Sequence, residues 1–390
     1  MLESENAGKS GRIVFTYPGF TLFQSARFFI VAALEMQSVA VGWQVYDITR
    51  QALDLGLIGL AQFLPGILLF LVAGHTADRF NRSRVLVASY LGFVLCSLML
   101  LGLTLSGNHS VRAIYAVVVL LGVVRAFNGP AARALLPQLV PQEHFPSAVA
   151  WNAIVFQSST ILGPALGGIL YAVVHGPAVV YTASIAAAMA AMVSMMRIHT
   201  SPQIMERAEI SLQTVFAGLR YIWQQKIILG SISLDLFAVL LGGATALLPV
   251  YAREILQTGP WGLGLLRTAP GIGAATMALV LAHRPLRRKI GVTMLWAVAA
   301  FGVFTIVFGL SHNIVISMAA LVFAGAADMI SVVIRGTLVQ IATPNEMRGR
   351  VNAVDMVFIG ASNEFGEFES GVTAHWLGAV PAVVLGGIGT

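Results

Sequence analysis

Charge and cysteine are what this sequence has least of. Only 10% of its 390 residues are charged, and Cys96 is its single cysteine. A soluble domain typically carries about 25% charged residues, whereas this chain is 57% hydrophobic. One cysteine excludes an intrachain disulfide and a cysteine-based metal site. The composition therefore predicts a polytopic membrane protein.

The motifs of ATP-driven and hydrolytic proteins are also missing. The sequence has no G-x-x-x-x-G-K-[ST] phosphate loop, no H-E-x-x-H and no G-x-S-x-G. We therefore expect no enzyme activity, no cofactor and no metal site. The first ten residues are polar and lack the short apolar core of a cleaved signal peptide.

Apolar runs long enough to cross a bilayer as helices, about 20 residues each, recur along the whole chain. The first half offers candidate spans at 20–46, 55–74, 84–106, 112–133, 147–173 and 177–197. The second half offers 227–251, 260–282, 291–310, 313–337 and 351–378. A shorter run begins at Pro381, so we expect twelve spans with the last one incomplete at Thr390.

Basic residues lie in every second loop between these spans. They are Lys9 and Arg12; Arg79, Arg82 and Arg84; Arg133; Arg197, Arg207, Arg220 and Lys226; Arg284, Arg287, Arg288 and Lys289; Arg348 and Arg350. The positive-inside rule then places the N-terminus and the 198–226 loop in the cytoplasm. The same distribution argues against a nucleic-acid partner, which the sequence pI of 9.8 alone would have suggested.

The two halves of the chain resemble each other. "GLAQFLPG" (59–66) matches "GLLRTAPG" (264–271), about 205 residues on, and "VPQEHFPSAVAWNA" (140–153) matches "TPNEMRGRVNAVDM" (343–356), about 203 residues on. Parallel repeats of six helices occur in one large class of transporters, with substrate bound between the halves. We predict an all-α protein of two six-helix bundles, 1–197 and 227–390, joined by a cytoplasmic linker, 198–226, that carries an amphipathic helix.

The loop after the second span carries the first family motif. "GHTADRFNRSR" (74–84) resembles the G-x-x-x-D-R-x-G-R-[RK] loop of the major facilitator superfamily, with Gly74, Asp78, Arg79 and Arg82 in register. The resemblance implies a latch between the halves on the cytoplasmic side. Asn81 replaces the second glycine, and the repeat copy has His283 where Asp78 stands. A solvated basic loop is the alternative interpretation.

Two further motifs of the superfamily lie in the fourth and fifth spans. "RAFNGPAA" (125–132) resembles its helix-4 motif through Arg125 and Asn128, and the resemblance implies a role in proton exchange. "GPALGG" (163–168) resembles the helix-5 motif that marks antiporters and exporters. That motif comprises Gly163, Pro164, Gly167 and Gly168. The whole chain is similar to the branch that holds siderophore and macrolide exporters.

Charged residues inside apolar spans are candidates for function, because they are costly in lipid and face protein or a water-filled cavity. Counting 1.5 Å per residue, Glu35 and Arg125 both fall near mid-membrane, where we predict proton coupling or, alternatively, a structural ion pair. "SNEFGEFESG" (362–371) places Glu364 and Glu367 on one side of the eleventh span. For these two we predict a gating or proton-handling role or a structural ion pair, with Arg27 and Arg267 as partners. Asp235 and Asp328 are further candidates for the cavity wall, and Glu369 is expected to meet water.

The sequence thus predicts a secondary transporter that exports a small molecule by proton antiport with alternating access. We expect it in the bacterial plasma membrane as a monomer, with the lipid bilayer, protons and a siderophore- or drug-like cargo as its partners. An importer of the same fold and a non-transporting membrane receptor or assembly partner remain the alternatives.

Overall fold

The computed structural model describes residues 13–107, 109–198, 212–284 and 289–390, and helices dominate these ranges. Nine helices in the described part are long and apolar enough to cross a membrane. Two shorter apolar helices, Ala52–Leu68 and Ala379–Gly389, accompany them. The eleventh predicted span, Asn345–Leu377, is also a long helix. Its charged residues set it apart from the nine.

The described part of the first half contains seven α-helices. They are α1 (Pro18–Thr49), α2 (Ala52–Leu68), α3 (Phe70–Arg79), α4 (Arg82–Leu105), α5 (Val111–Leu135), α6 (Phe145–Val174) and α7 (Pro177–Met196). Helix α1 packs against α6 and α7, and α4 packs against α5 and α7. The second predicted span is split into α2 and α3 at Leu69, four residues after Pro65.

The described part of the second half contains seven α-helices of more than three residues. They are α8 (Leu212–Gln224), α9 (Lys226–Gly242), α10 (Gly259–His283), α11 (Ile290–Leu310), α12 (Ile314–Ala342), α13 (Asn345–Leu377) and α14 (Ala379–Gly389). Helix α12 packs against α10 and α11, and α14 packs against α11 and α13. Helix α8 occupies the end of the predicted linker and packs against α9 and α13, while 199–211 lie outside the described residues.

The seventh span is not the continuous helix that the sequence predicted at 227–251. Helix α9 ends at Gly242, and a 3-10 turn (Ala244–Leu247), one α-turn (Leu248–Val250) and a π-turn (Tyr251–Ile255) follow. Glycine and proline are the weakest helix formers, and "GG" at 242–243 and Pro249 stand at the interruption. An interruption inside a membrane is tolerated where it is buried in protein or lines a cavity.

Among the described residues, the most extensive helix contacts between the halves are those of α6 with α10 and of α2 with α13. At the first, a Cβ on Gly168 would lie 2.6 Å from the Pro260 carbonyl oxygen and 2.8 Å from the Gly264 Cα. At the second, a Cβ on Gly371 would lie 2.9 Å from the Gly56 Cα. Small residues let helix backbones approach this closely in membranes, so both crossings depend on glycine.

Candidate functional site

A polar cavity of about 290 Å³ lies where the two halves meet. We call it the central cavity. It is lined from the first half by Glu35, Ser38, Gly42, Leu55, Ile58, Gln62, Arg125, Thr160 and Pro164. From the second half it is lined by Thr245, Ala246, Pro249, Arg267, Gly271, Glu364 and Glu367. Both halves therefore contribute to one site.

Three carboxylates share this cavity. Glu35 comes from α1, and Glu364 and Glu367 come from α13, three residues apart and so on one face of the helix. Gly59 of α2 leaves space for the side chains of Glu364 and Glu367. A Cβ there would lie 2.8 Å from a Glu367 carboxylate oxygen and 3.4 Å from a Glu364 oxygen.

The two arginines of the cavity are held by neutral groups. Arg125 Nη1 donates to Gln62 Oε1 at 2.5 Å. Arg267 Nη1 donates to Ser38 Oγ, also at 2.5 Å, and this bond joins α10 to α1 across the two halves. Among the ion pairs formed by the described residues, neither arginine pairs with Glu35, Glu364 or Glu367. The direct Glu35–Arg125 pair considered from the sequence is thus not formed in this conformation.

Three predicted cavity residues lie elsewhere. Arg27 stacks over the ring of Phe156, with its guanidinium carbon 5.2 Å from the ring centroid. Neither Arg27 nor Asn128 is among the residues that line the central cavity. Asp235 is buried in the second half. It therefore does not shape the central cavity as the sequence analysis expected.

Asp235 instead belongs to a buried charge cluster that the sequence analysis did not find. Arg335 of α12 lies 3.3 Å from Asp235 of α9 and 2.6 Å from Asp355 of α13, and Ser331 Oγ donates to Asp235 at 3.1 Å. The sequence feature that could have revealed it is Arg335, an arginine near the end of an apolar span whose other charged residue is Asp328. One arginine between two carboxylates ties three helices of the second half together.

Asp328 lines a second cavity of about 180 Å³ inside the second half. Glu367 and Thr245 line this cavity as well as the central one. The sequence predicts Asp328 in the wall of the central cavity. In the structure, Asp328 instead lies behind that wall.

One end of the interface between the halves is closed by a polar cluster. Arg253, on the π-turn, lies 2.5 Å from Asp47 at the end of α1 and stacks over the ring of Trp43. Next to it, the Tyr46 hydroxyl donates to the Glu254 carboxylate. Both contacts join the first span to the seventh, so they close this end of the molecule.

The predicted latch loop lies between α3 and α4. Gly74 and Arg82 are buried and Arg79 is exposed, whereas the Asp78 side chain lies outside the described residues. In the antiporter motif, a Cβ on Gly163 would lie 2.6 Å from the Glu35 Cβ, and one on Gly167 would lie 2.9 Å from the Met36 Cα. This motif therefore packs α6 closely against α1 beside Glu35.

Comparisons with known proteins agree with this architecture. The family model described as "Transmembrane secretion effector" matches residues 20–389. The enterobactin exporters of Citrobacter koseri and Escherichia coli O1:K1 are 27% and 26% identical over 380 residues, covering 96% of this chain and 86% of each relative.

Two transporters are among the solved structures of similar fold. A D-xylose–proton symporter has a TM-score of 0.72 at 14% identity, covering 96% of this chain and 95% of that one. A bacterial homologue of the iron transporter ferroportin, in its inward-facing state, has a TM-score of 0.68 at 13% identity, covering 95% and 97%. The chain therefore belongs to the transmembrane secretion effector family of the major facilitator superfamily, and it is a multi-pass transporter of the bacterial inner membrane.

Proposed function

We propose that this protein exports a small molecule by proton antiport, through alternating exposure of the central cavity to the two sides of the membrane. The observation that carries the proposal is the cavity itself, which draws two arginines and three glutamates from both halves. Because both halves supply charges, a movement of one half against the other changes the site and its access together.

The charges of the cavity favour a role in binding over one in folding. A structural ion pair in a membrane interior gains from direct contact between opposite charges. Here Arg125 and Arg267 contact Gln62 and Ser38 instead. We infer that the carboxylates exchange protons and that the arginines contact cargo. Glu35, beside Arg125 and the antiporter motif, is the residue we assign to proton coupling.

The closed end of the interface supports alternating access. We assign the Asp47–Arg253 end to the outer side of the membrane, because the basic loops predicted to be cytoplasmic lie at the other ends of these spans. The matching segments of the two halves are about 203 to 205 residues apart, and at this spacing α2 corresponds to α10 and α6 corresponds to α13. The crossings α6–α10 and α2–α13 are then equivalent, which supports two six-helix repeats that move as rigid units. We retain twelve spans, the bundle boundaries 1–197 and 227–390, and a monomer as parts of this proposal.

The similarity to enterobactin exporters suggests a siderophore- or drug-like cargo. In this scheme Glu364 and Glu367 shape the cavity or its gate, together with Arg267. The loop of Gly74, Asp78, Arg79 and Arg82 forms the cytoplasmic latch. Arg27, which stacks over Phe156, and Asn128 have no role in the central cavity itself, since neither lines it.

Proton release from the purified protein tests the proposal. Candidate cargos (siderophores, macrolides, dyes) are added to unbuffered detergent-solubilised protein, with wild type beside Glu35→Gln and Glu364→Gln. We expect release in the wild type and in Glu364→Gln, and none in Glu35→Gln. Release lost only in Glu364→Gln would move the proton site to α13.

Flux and binding measurements separate the rival functions. Uptake of cargo into cells, in place of extrusion, would indicate an importer of the same fold. Cargo that binds without proton release or flux, together with a co-purifying membrane protein, would indicate a receptor or assembly partner.

A further inference from the structure

Two arginines of the first half lie close together inside apolar spans, without a carboxylate. Arg27 of α1 stacks over the ring of Phe156, and the ionisable groups close enough to act on it are Arg133 of α5 and Tyr90 of α4. The ion pairs formed by the described residues include neither arginine. Charged residues within membrane spans usually pair with one another and mark pathways of substrates or ions. This arginine pair therefore lacks a negative partner.

The contacts that the two arginines do form are with uncharged groups. Arg133 Nε donates to the Gly129 carbonyl at 3.3 Å, and Arg133 Nη1 contacts the sulfur of Met356 on α13. Arg27 Nε is buried without a hydrogen-bond partner in the part of the chain that the structure describes. Because a guanidinium group has five N–H donors, donors of both arginines remain available to a ligand.

Two amides next to this pair also lack partners. Gln24 lies one turn before Arg27 on α1; it is 4% exposed, and neither atom of its side-chain amide has a hydrogen-bond partner among the described residues. Asn152 lies one turn before Phe156 on α6, and its buried Oδ1 has no such partner either. Buried polar groups in proteins nearly always have a partner. The amides therefore independently indicate a missing polar ligand in this part of the first half.

The arginine pair lies along the same helix faces as two residues of the central cavity. Arg27 precedes Glu35 by eight residues on α1, and Arg133 follows Arg125 by eight residues on α5. Eight residues of helix span about 12 Å, and residues four or eight apart share one side of a helix. Glu35 and Arg125 line the cavity, and Arg27 acts on Arg133. The two helices are thus antiparallel, and both members of the pair lie on the same side of the cavity.

Helices α6 and α13 continue from the pair to the cavity in the same way. Phe156 precedes Thr160 by four residues, and Met356 precedes Glu364 by eight. Thr160 and Glu364 line the central cavity, while Phe156 and Met356 are 43% and 47% exposed. The opposite end of the interface is the one that the polar cluster closes. The arginine pair therefore lies at the entrance of the cavity, on the side that the proposed orientation makes cytoplasmic.

We propose that Arg27 and Arg133 bind an oxyanion group of the cargo at this entrance, before the cargo moves inward to the two arginines of the central cavity. The planar fork of donors on a guanidinium group matches the oxygens of a carboxylate or a related group. The exposed ring of Phe156 offers an apolar surface to the body that carries the anion. The inference rests on the proposed export function and narrows the cargo to organic anions.

Equilibrium binding of ¹⁴C-benzoate to the purified full chain, in lipid-free detergent at pH 7, tests this site. We expect saturable binding in the wild type, and none of ¹⁴C-benzylamine, which has a similar ring and the opposite charge. In Arg27→Gln and Arg133→Gln we expect a roughly ten- to hundredfold loss of affinity, the range for losing hydrogen bonds to a charged group. Arg112→Gln is the matched control, because Arg112 is an exposed arginine at the other end of α5.

Arg133→Lys keeps the charge and is expected to bind benzoate more tightly than Arg133→Gln. Gel filtration with thermal unfolding checks that each variant is folded. Absence of saturable benzoate binding in the wild type would overturn the proposal, as would equal affinity in the wild type, Arg27→Gln and Arg133→Gln. Binding that is lost in Arg125→Gln but kept in both entrance variants would place the anion in the central cavity and would also overturn it.

A lipid phosphate is the other source of an oxyanion, and competition separates the two sources. Displacement of benzoate by phosphatidylglycerol, at concentrations where phosphatidylcholine has no effect, would assign the pair to a lipid headgroup and overturn the assignment to cargo. Benzoate binding is measured independently of proton release. Its absence in a protein that still releases protons on adding cargo would overturn the entrance site and leave the proposed antiport standing.

Discussion

Arg253 lies 2.5 Å from Asp47 and joins the π-turn of the seventh span to the last turn of α1. Arg50, which also contacts Asp47 at 3.4 Å, belongs to the same half as Asp47. Only the first of these two ion pairs therefore opposes separation of the halves at this end.

Breaking the pair with Arg253→Gln is expected to expose the central cavity to the outer side. A partly exposed ion pair contributes about 0.2–1 kcal/mol, so we expect a shift of roughly 1.4- to fivefold in the population open to that side. The measurement is labelling of Thr160→Cys, in the cavity, by a membrane-impermeant maleimide added outside, with Cys96→Ala as background. Arg50→Gln is the control, and equal labelling rates in the two variants would contradict the gate.

Gly168→Ala is expected to destabilise the protein and slow transport. The added Cβ would meet backbone atoms of α10 at 2.6 to 2.9 Å, and such overpacking typically costs about 1–3 kcal/mol. Gly230→Ala is the control, since no atom lies within 4 Å of a Cβ there. Thermal unfolding followed by gel filtration measures the difference. A Tm for Gly168→Ala equal to that of Gly230→Ala would show that the α6–α10 crossing accommodates the added methyl group without loss of stability.

Gly59→Ala is expected to impair transport while leaving the Tm close to that of the wild type. Its Cβ would meet the Glu367 carboxylate oxygen at 2.8 Å. A carboxylate ends a flexible side chain, so Glu367 is able to move, but it then leaves its place in the central cavity. Cargo flux and thermal unfolding are measured in parallel with Gly66→Ala, where the space is open. Unchanged flux would argue against a requirement for the observed position of Glu367.

Arg335→Met is expected to be strongly destabilising. Removing the arginine leaves Asp235 and Asp355 as uncompensated carboxylates, and breaking a buried pair in this way costs about 3–5 kcal/mol. The Asp235→Asn/Arg335→Met double variant is expected to recover part of the loss. Arg84→Met, at an exposed position, serves as the control in thermal unfolding. A Tm unchanged by Arg335→Met would mean that the cluster contributes nothing to folding.

The amino-acid sequence by itself determined the class of the protein and the depth of its charges. Hydropathy places helices along the chain, and the loop and glycine motifs identify the superfamily, because both depend on local sequence. Counting residues from the helix ends also predicted Glu35 and Arg125 near mid-membrane. Both line the central cavity, together with Arg267, Glu364 and Glu367.

The tertiary structure decided which charges face one another. The rotation of each helix about its axis is set by packing against helices that are distant in sequence. Asp235 therefore contacts Arg335, and Arg125 contacts Gln62. The interruption after Gly242 likewise packs against a helix distant in sequence, since a Cβ on Gly243 would lie 2.9 Å from the Gly366 carbonyl carbon of α13. The depth of a residue in the membrane follows from its position along one helix, so the sequence specifies it directly. Which residues contact one another follows from how several helices pack, and the sequence specifies this far less directly.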